Sequence, residues 1–276
     1  MTLNQTRGDW ARKESGRDAV RHPFRRAPRL LGCAVVIALI GLLRAPVFAG
    51  PPYVTDDPEP VEYQHWEVYL ASALSHDAGE WSGTAPLLEV NYGALPDLHL
   101  HAIMPLSFLR SGDGSTTYGY GDTELGAKIR FLHETSTRPQ VGTFPLLEIP
   151  TGDEHRGLGS GQVKAFLPLW LQKSFGPWTT YGGGGYWINP GAGNHDWGFL
   201  GWQVQRRFLP SVSAGAEVFH TTVQEEGGEP ETRFNVGLVI DLSGLQHLLL
   251  SGGRGLQGPN QFQGYVAYQL TFGPTE

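Results

Sequence analysis

The chain has 276 residues, among them 38 Gly, 20 Lys+Arg, 27 Asp+Glu and one Cys. A net charge of −7 excludes the basic face that nucleic-acid binding requires. One Cys excludes a disulfide framework or a Cys-based zinc site, and a charged fraction of 17% is low against roughly 25% for soluble domains.

These averages join two unlike segments. Residues 1–49 carry nine basic residues (Arg7 to Arg44) against three acidic ones, a net of +6. Leu30 to Leu43 is apolar, and Val47-Phe48-Ala49 offers a small-residue cleavage site. A basic region, an apolar core and such a site predict a secretory signal peptide over 1–49, cleaved after Ala49. The apolar run is short of the roughly 20 residues of a spanning helix. Cys33 lies near the start of that core rather than after it, which excludes a lipobox. The remainder keeps 11 basic and 24 acidic residues, a net of −13, and no Cys. It also has no apolar run long enough to span a bilayer as a helix, so membrane residence requires a barrel.

Residues 50–61 read as a periplasmic lead-in. From Glu62 onward apolar and polar residues alternate with period two, the strand signal. Trp66, Val68 and Leu70 alternate with Glu67 and Tyr69; Leu125, Ala127 and Ile129 alternate with Glu124, Lys128 and Arg130. Twelve such runs are predicted, near 62–74, 83–92, 97–109, 121–133, 140–149, 161–173, 177–188, 196–207, 211–222, 231–241, 246–253 and 262–272. Short connections alternate with longer ones at 75–82, 110–120, 150–160, 189–195, 223–230 and 254–261. Short turns on one side and longer loops on the other are the pattern of outer-membrane barrels. The expected fold is all-β: an antiparallel up-and-down transmembrane β-barrel of about 12 strands over 62–276. A soluble sandwich or lipocalin-like barrel would alternate too, but would carry a richly charged outer face. Instead Trp66, Trp81, Tyr92, Tyr118, Tyr120, Trp178, Tyr186, Trp187 and Trp197 fall near strand ends, as expected of interfacial girdles.

If the apolar face meets lipid, charges must point inward, because a charge at the bilayer midplane costs roughly 2–4 kcal/mol. The lumen and transport candidates are therefore Glu67, Glu89, His99, His101, Glu124, Lys128, Arg130, Glu148, Lys164, Arg207, Glu217, Arg233 and Asp241, with Gln203 beside them. They read either as a ladder of ion pairs filling a narrow interior or as a polar eyelet. Asp153, Glu154, His155 and Arg156 are outer-loop candidates.

The remaining motifs read structurally. Asp56, Asp57 and Glu59 suggest a cation site or plug contact, but a proline-stiffened lead-in is favoured, since hard cations need six or more oxygens. The glycines of 157–161 precede a strand rather than a helix, so they form a loop and not a phosphate cradle. Gly182–Gly185 reads as a bend or a close approach. His99 and His101 alone do not close a metal site. No metal, cofactor or catalytic residue is expected, and the chain is read as no enzyme.

Two segments carry a family resemblance: GPPYVTDDPEPVEYQHWEVYLAS (Gly50–Ser72) and PLLEIPTGDEHRGLGSGQVKAFLPLWLQKSFGPWTTYGGGGYWINPG (Pro145–Gly191). Both resemble the outer-membrane "transporter" family labelled for the meta-pathway of phenol degradation. The resemblance implies a barrel giving passive passage to small, hydrophobic or aromatic molecules, with outer-membrane lipid, small solutes and the barrel-assembly machinery as partners. A departure is the C-terminus, where Phe272 is followed by Gly-Pro-Thr-Glu instead of closing the chain as an aromatic. The alternative is a non-transporting envelope barrel with a structural or surface-binding role.

Overall fold

The structure is a computed structural model and describes residues 51–274. The expected leader, residues 1–49, lies outside the described residues. The strands are β1 (Trp66–Asp77), β2 (Glu80–Leu95), β3 (Leu98–Arg110), β4 (Thr116–Tyr120), β5 (Thr123–Leu132), β6 (Gln140–Thr143), β7 (Leu146–Ile149), β8 (Lys164–Phe175), β9 (Trp178–Ile188), β10 (Trp197–Leu209), β11 (Val212–Thr221), β12 (Glu231–Asp241), β13 (Gln246–Gln257) and β14 (Phe262–Phe272).

Each strand pairs antiparallel with its chain neighbours, and β1 pairs with β14 from Trp66↔Phe272 to His76↔Phe262. That last pairing closes the sheet on itself. β4 and β5 are two halves of one strand lying along β3. β6 and β7 are likewise halves of one strand between β5 and β8. The second break falls at Phe144-Pro145, where proline has no N–H to give a ladder. Counted this way the barrel has twelve strands, all antiparallel.

The first strand starts at Trp66 and not at Glu62, because Gln64 and His65 are held in a tight turn by bonds to Gly93 O and Glu62 O. Three expected long loops are short. Residues 75–82 continue β1 and β2 to a turn at Ala78-Gly79, β4 reduces the expected 110–120 loop to 111–115, and β13 runs on to Gln257. The longer loops lie at 150–163, 189–196 and 222–230, all at one end of the barrel.

The two faces differ as a bilayer demands. Leu70, Leu167, Leu200 and Val236 are each more than half exposed on the outer wall. Between them point Glu67, Glu89, His101, Lys128, Gln203, Glu217 and Asn235, all buried inside the closed sheet. Part of the interior is apolar as well: Tyr69, Ala71, Leu87, Leu249 and Ala267 pack together behind β1, β2, β13 and β14.

Candidate functional site

The interior is occupied by the chain's own N-terminal segment. Residues 51–61, which belong to the expected 50–61 lead-in, run through the lumen. Thr55 and Asp57 are completely buried, and Tyr53, Pro58 and Val61 are buried with them. The segment touches the wall on many strands. Val61 N donates to His99 Nδ1 of β3 at 3.0 Å. Lys128 of β5 donates to Asp56 Oδ1 at 2.8 Å and to Asp57 Oδ2 at 3.4 Å. Glu59 accepts from Gln172 of β8 at 2.9 Å and Gln140 of β6 at 3.2 Å. Across the lumen, Glu217 of β11 accepts the backbone N–H of Val54 at 2.9 Å and of Thr55 at 2.7 Å. Ser251 of β13 donates to Pro52 O at 2.6 Å.

The wall makes room for this strap. A Cβ on Gly215 would come within 2.7 Å of the Tyr53 hydroxyl, and one on Gly237 within 2.7 Å of its ring, so the absence of side chains there lets Tyr53 approach β11 and β12 closely. Burial raises the Asp57 carboxyl to about 8 against the opposing pull of Lys128, with Asp56 and Glu59 adding to the rise. Asp56 is the carboxylate nearer to Lys128, at 2.8 Å against 3.4 Å for Asp57. The acidic cluster, for which a proline-stiffened lead-in was the favoured reading, makes the plug contact.

The other inward charges form local pairs. His101 lies between Asn91 Oδ1 at 2.6 Å and Glu124 Oε1 at 3.0 Å, and Asn91 donates to Glu89 at 2.9 Å. Tyr69 donates to Glu67 at 2.8 Å. Lys164 meets Glu148 at 3.1 Å, and Asp241 meets His247 at 2.8 Å. Arg130 reaches Asp97 at 2.8 Å and Gln140 at 3.2 Å. Arg233 bonds Glu231 and also Gln263. Arg207 lies half-buried on the same inner face near the short-turn end. The candidates are therefore brought together as neighbouring pairs and not as one ring. Among the described residues no group of three or more His, Cys, Asp or Glu is placed to hold a metal ion.

A second inner feature is aromatic. Trp187 and Trp197, expected in the lipid-facing girdle, point inward and stack at 5.5 Å between centroids. Trp187 stacks on Phe166 at 4.9 Å. Phe199 meets Phe166 at 6.2 Å, Trp170 at 6.0 Å and Phe219 at 5.9 Å. Phe144 packs with Phe166 and Trp170, then meets His101 and His99 edge-on at 5.1 and 5.4 Å. Lys128 lies 5.0 Å from the Phe144 centroid. An unbroken aromatic path thus leads from the loop end to the residues that hold the plug. Gly185 resolves the glycine run of β9: a Cβ there would enter the Phe166 ring at 2.5 Å. Strand parity carried this signal, since Phe199 and Trp197 share parity with the inward Gln203.

The outer loop 150–163 is tied down. Asp122, a residue not singled out from sequence, accepts Gly152 N at 2.9 Å, Ser160 N at 2.6 Å and Ser160 Oγ at 2.8 Å. Leu158 is buried. Asp153, Glu154, His155 and Arg156 sit exposed on a short 3-10 turn, with Arg156 donating to Tyr118 O at 3.1 Å.

No family model matches the chain, and no curated protein matches it. Solved structures do. The COG4313 outer membrane channel from Pseudomonas putida F1 superposes with a TM-score of 0.61 at 19% identity, over 82% of this chain and 100% of that one. The NanC porin gives 0.50 at 6% identity, over 75% of this chain and 100% of that one. The KdgM porin gives 0.49 at 11% identity over 74% and 99%. The shared feature is the fold, a closed antiparallel β-barrel.

Proposed function

We propose that the protein is an outer-membrane barrel giving passive passage to small hydrophobic or aromatic molecules, and that it is not an enzyme. The observation that carries this reading is the inward aromatic path from Trp197 and Trp187 through Phe166 to Phe144. Stacked rings offer a solute successive, similar contacts of about 0.5–1.5 kcal/mol each. Binding of that size is strong enough to draw an apolar ring in and weak enough to let it leave. On this reading residues 1–49 direct export, and the barrel-assembly machinery inserts the chain. Residues 51–61 form a plug that must shift for passage. The likeness to an outer membrane channel agrees with this at the level of fold.

The test is solute uptake into liposomes carrying the purified protein. Faster entry of a neutral aromatic solute than of a sugar of equal mass is expected. Equal, background-level entry of both would sink the reading. A closed, non-transporting envelope barrel is the second reading, favoured by the burial of Tyr53, Thr55 and Asp57 across the lumen; background entry of both solutes is its expected result.

A further inference from the structure

The outer wall carries two arginines that its hydrophobic surface does not explain. Strand register places Arg254, Phe262, His76, Trp81 and Arg110 side by side across β13, β14, β1, β2 and β3. Period-two alternation puts all five on the lipid side, in phase with Val266, Leu270 and Leu100, which are exposed there. The row lies at the loop end, beside the Ala78-Gly79 turn. Trp81 packs on His76 at 4.6 Å and meets Phe262 at 6.4 Å, so the two cations flank an aromatic centre.

Among the described arginines these two stand apart. Arg130 and Arg233 have carboxylate partners. Arg138 and Arg156 donate to backbone carbonyls. Arg206, outward at the opposite end, lies between Trp178 and Phe208 at 5.3 and 5.1 Å. Arg110 and Arg254 have no ion pair, side-chain hydrogen bond or ring contact among the described residues. Both are exposed. Arg110 also borders a cavity of about 610 Å³ lined by Gly79, Trp81, Phe108, Ser111, Gly112 and Gly114. The acidic residues of the adjacent turn, Asp77 and Glu80, are out of phase with the row by alternation. Asp113 in the next loop accepts from Ser115 N at 2.8 Å.

Unpaired, exposed guanidinium groups beside a lipid-facing aromatic row are open to an anion among the headgroups. Guanidinium matches phosphate geometry with paired, charge-assisted bonds. We propose that this face binds the phosphates of a phosphorylated glycolipid headgroup in the outer leaflet, at Arg110 and Arg254, with the acyl chains against Trp81, Phe108 and Phe262. At about 4.8 Å per strand the two arginine backbones lie about 19 Å apart, so the row presents two separate phosphate contacts. This inference rests on the membrane-barrel placement but not on what the lumen conducts.

The test compares the purified barrel with the variant R110Q/R254Q in detergent, by native mass spectrometry. The probes are bis-phosphorylated lipid A, the same lipid with its phosphates removed, and inorganic phosphate as competitor. The wild type should retain the phosphorylated lipid about tenfold or more better than the variant, since losing even one of the two charge-assisted contacts implies a change of that size. The dephosphorylated lipid should bind both equally, and millimolar inorganic phosphate should displace little. Equal retention of phosphorylated lipid by both proteins would overturn the proposal. So would equal loss of both lipids from the variant, which would mark the face as merely apolar, or full displacement by inorganic phosphate. Both substituted side chains are exposed, and the heat-shifted gel mobility of a folded barrel checks that the variant has assembled. A barrel absent from the membrane fraction would instead refute the placement itself.

Discussion

Lys128 Nζ lies 2.8 Å from Asp56 Oδ1, joining the middle of one barrel strand to a segment 72 residues earlier in the chain. Both partners are largely removed from water, at 5% and 23% side-chain exposure. Removing one member of such a pair strands the other, at a cost of about 3–5 kcal/mol. Lys128→Met should therefore release the strap and raise single-channel conductance in planar bilayers. Lys128→Met combined with Asp56→Asn should recover part of the lost thermal stability. An unchanged conductance in the single variant would show that the strap is held elsewhere.

Glu217 tests the other end. It accepts two backbone N–H groups and the Asn235 amide. Glu217→Gln substitutes a donor for one acceptor oxygen and leaves at least one buried N–H unsatisfied, at about 1–3 kcal/mol. The strap should become susceptible to protease near Val54 while the barrel stays intact on a gel. Equal protease resistance would refute the assignment.

Asp57 sets a pH dependence. Its carboxyl is raised to about 8 by burial. An acid raised in the folded state lends stability that is fully present below its ordinary value and is lost as pH rises through the raised one. The strap should thus seat firmly in mild acid and loosen as pH passes about 8, read as rising conductance. Asp57→Asn, which holds the neutral form, should flatten that rise. A rise that persists unchanged in Asp57→Asn would place the titrating group elsewhere.

For the aromatic path, Trp187→Ala breaks contacts to both Phe166 and Trp197 near the mouth. At about 0.5–1.5 kcal/mol per aromatic contact, uptake of a neutral aromatic solute should fall roughly two- to tenfold. Uptake of a small polar solute should hold. Parallel loss of both would point to a collapsed loop end and not to a lost foothold.

Asp122→Ala removes three hydrogen bonds that fix the 150–163 loop. Faster hydrogen exchange is expected at Gly152 and Ser160, with the strands unchanged. Protection equal to wild type would refute the clamp.

Period-two patterning made the strands legible, because each side chain in a closed sheet has two destinations and a bilayer tolerates few charges on one of them. Lys128, Glu89 and Glu217 were placed inward by that argument. The strap was not legible as a plug. Thr55-Asp56-Asp57 has no periodicity, and its partners on the wall lie between 71 and 162 residues away. Trp187 and Trp197 were misplaced because their position near strand ends was weighed above their parity. The half-strand β4, which falls in the expected 110–120 loop, and the division of the expected 140–149 run were likewise hidden, since a break such as Phe144-Pro145 depends on what both neighbours offer.

The grip of Glu217 on Val54 and Thr55 has a consequence for how this segment can vary. A carboxylate that holds peptide N–H groups is indifferent to the side chains they belong to, so the half-exposed position 54 can accept almost any residue and remain bound, whereas the fully buried position 55 has room only for a small one. The exception is proline, which has no N–H to give. The strap is rich in proline, at positions 51, 52, 58 and 60, yet has none at 54 or 55. Val54→Pro would undo by one atom what most other replacements there would leave intact.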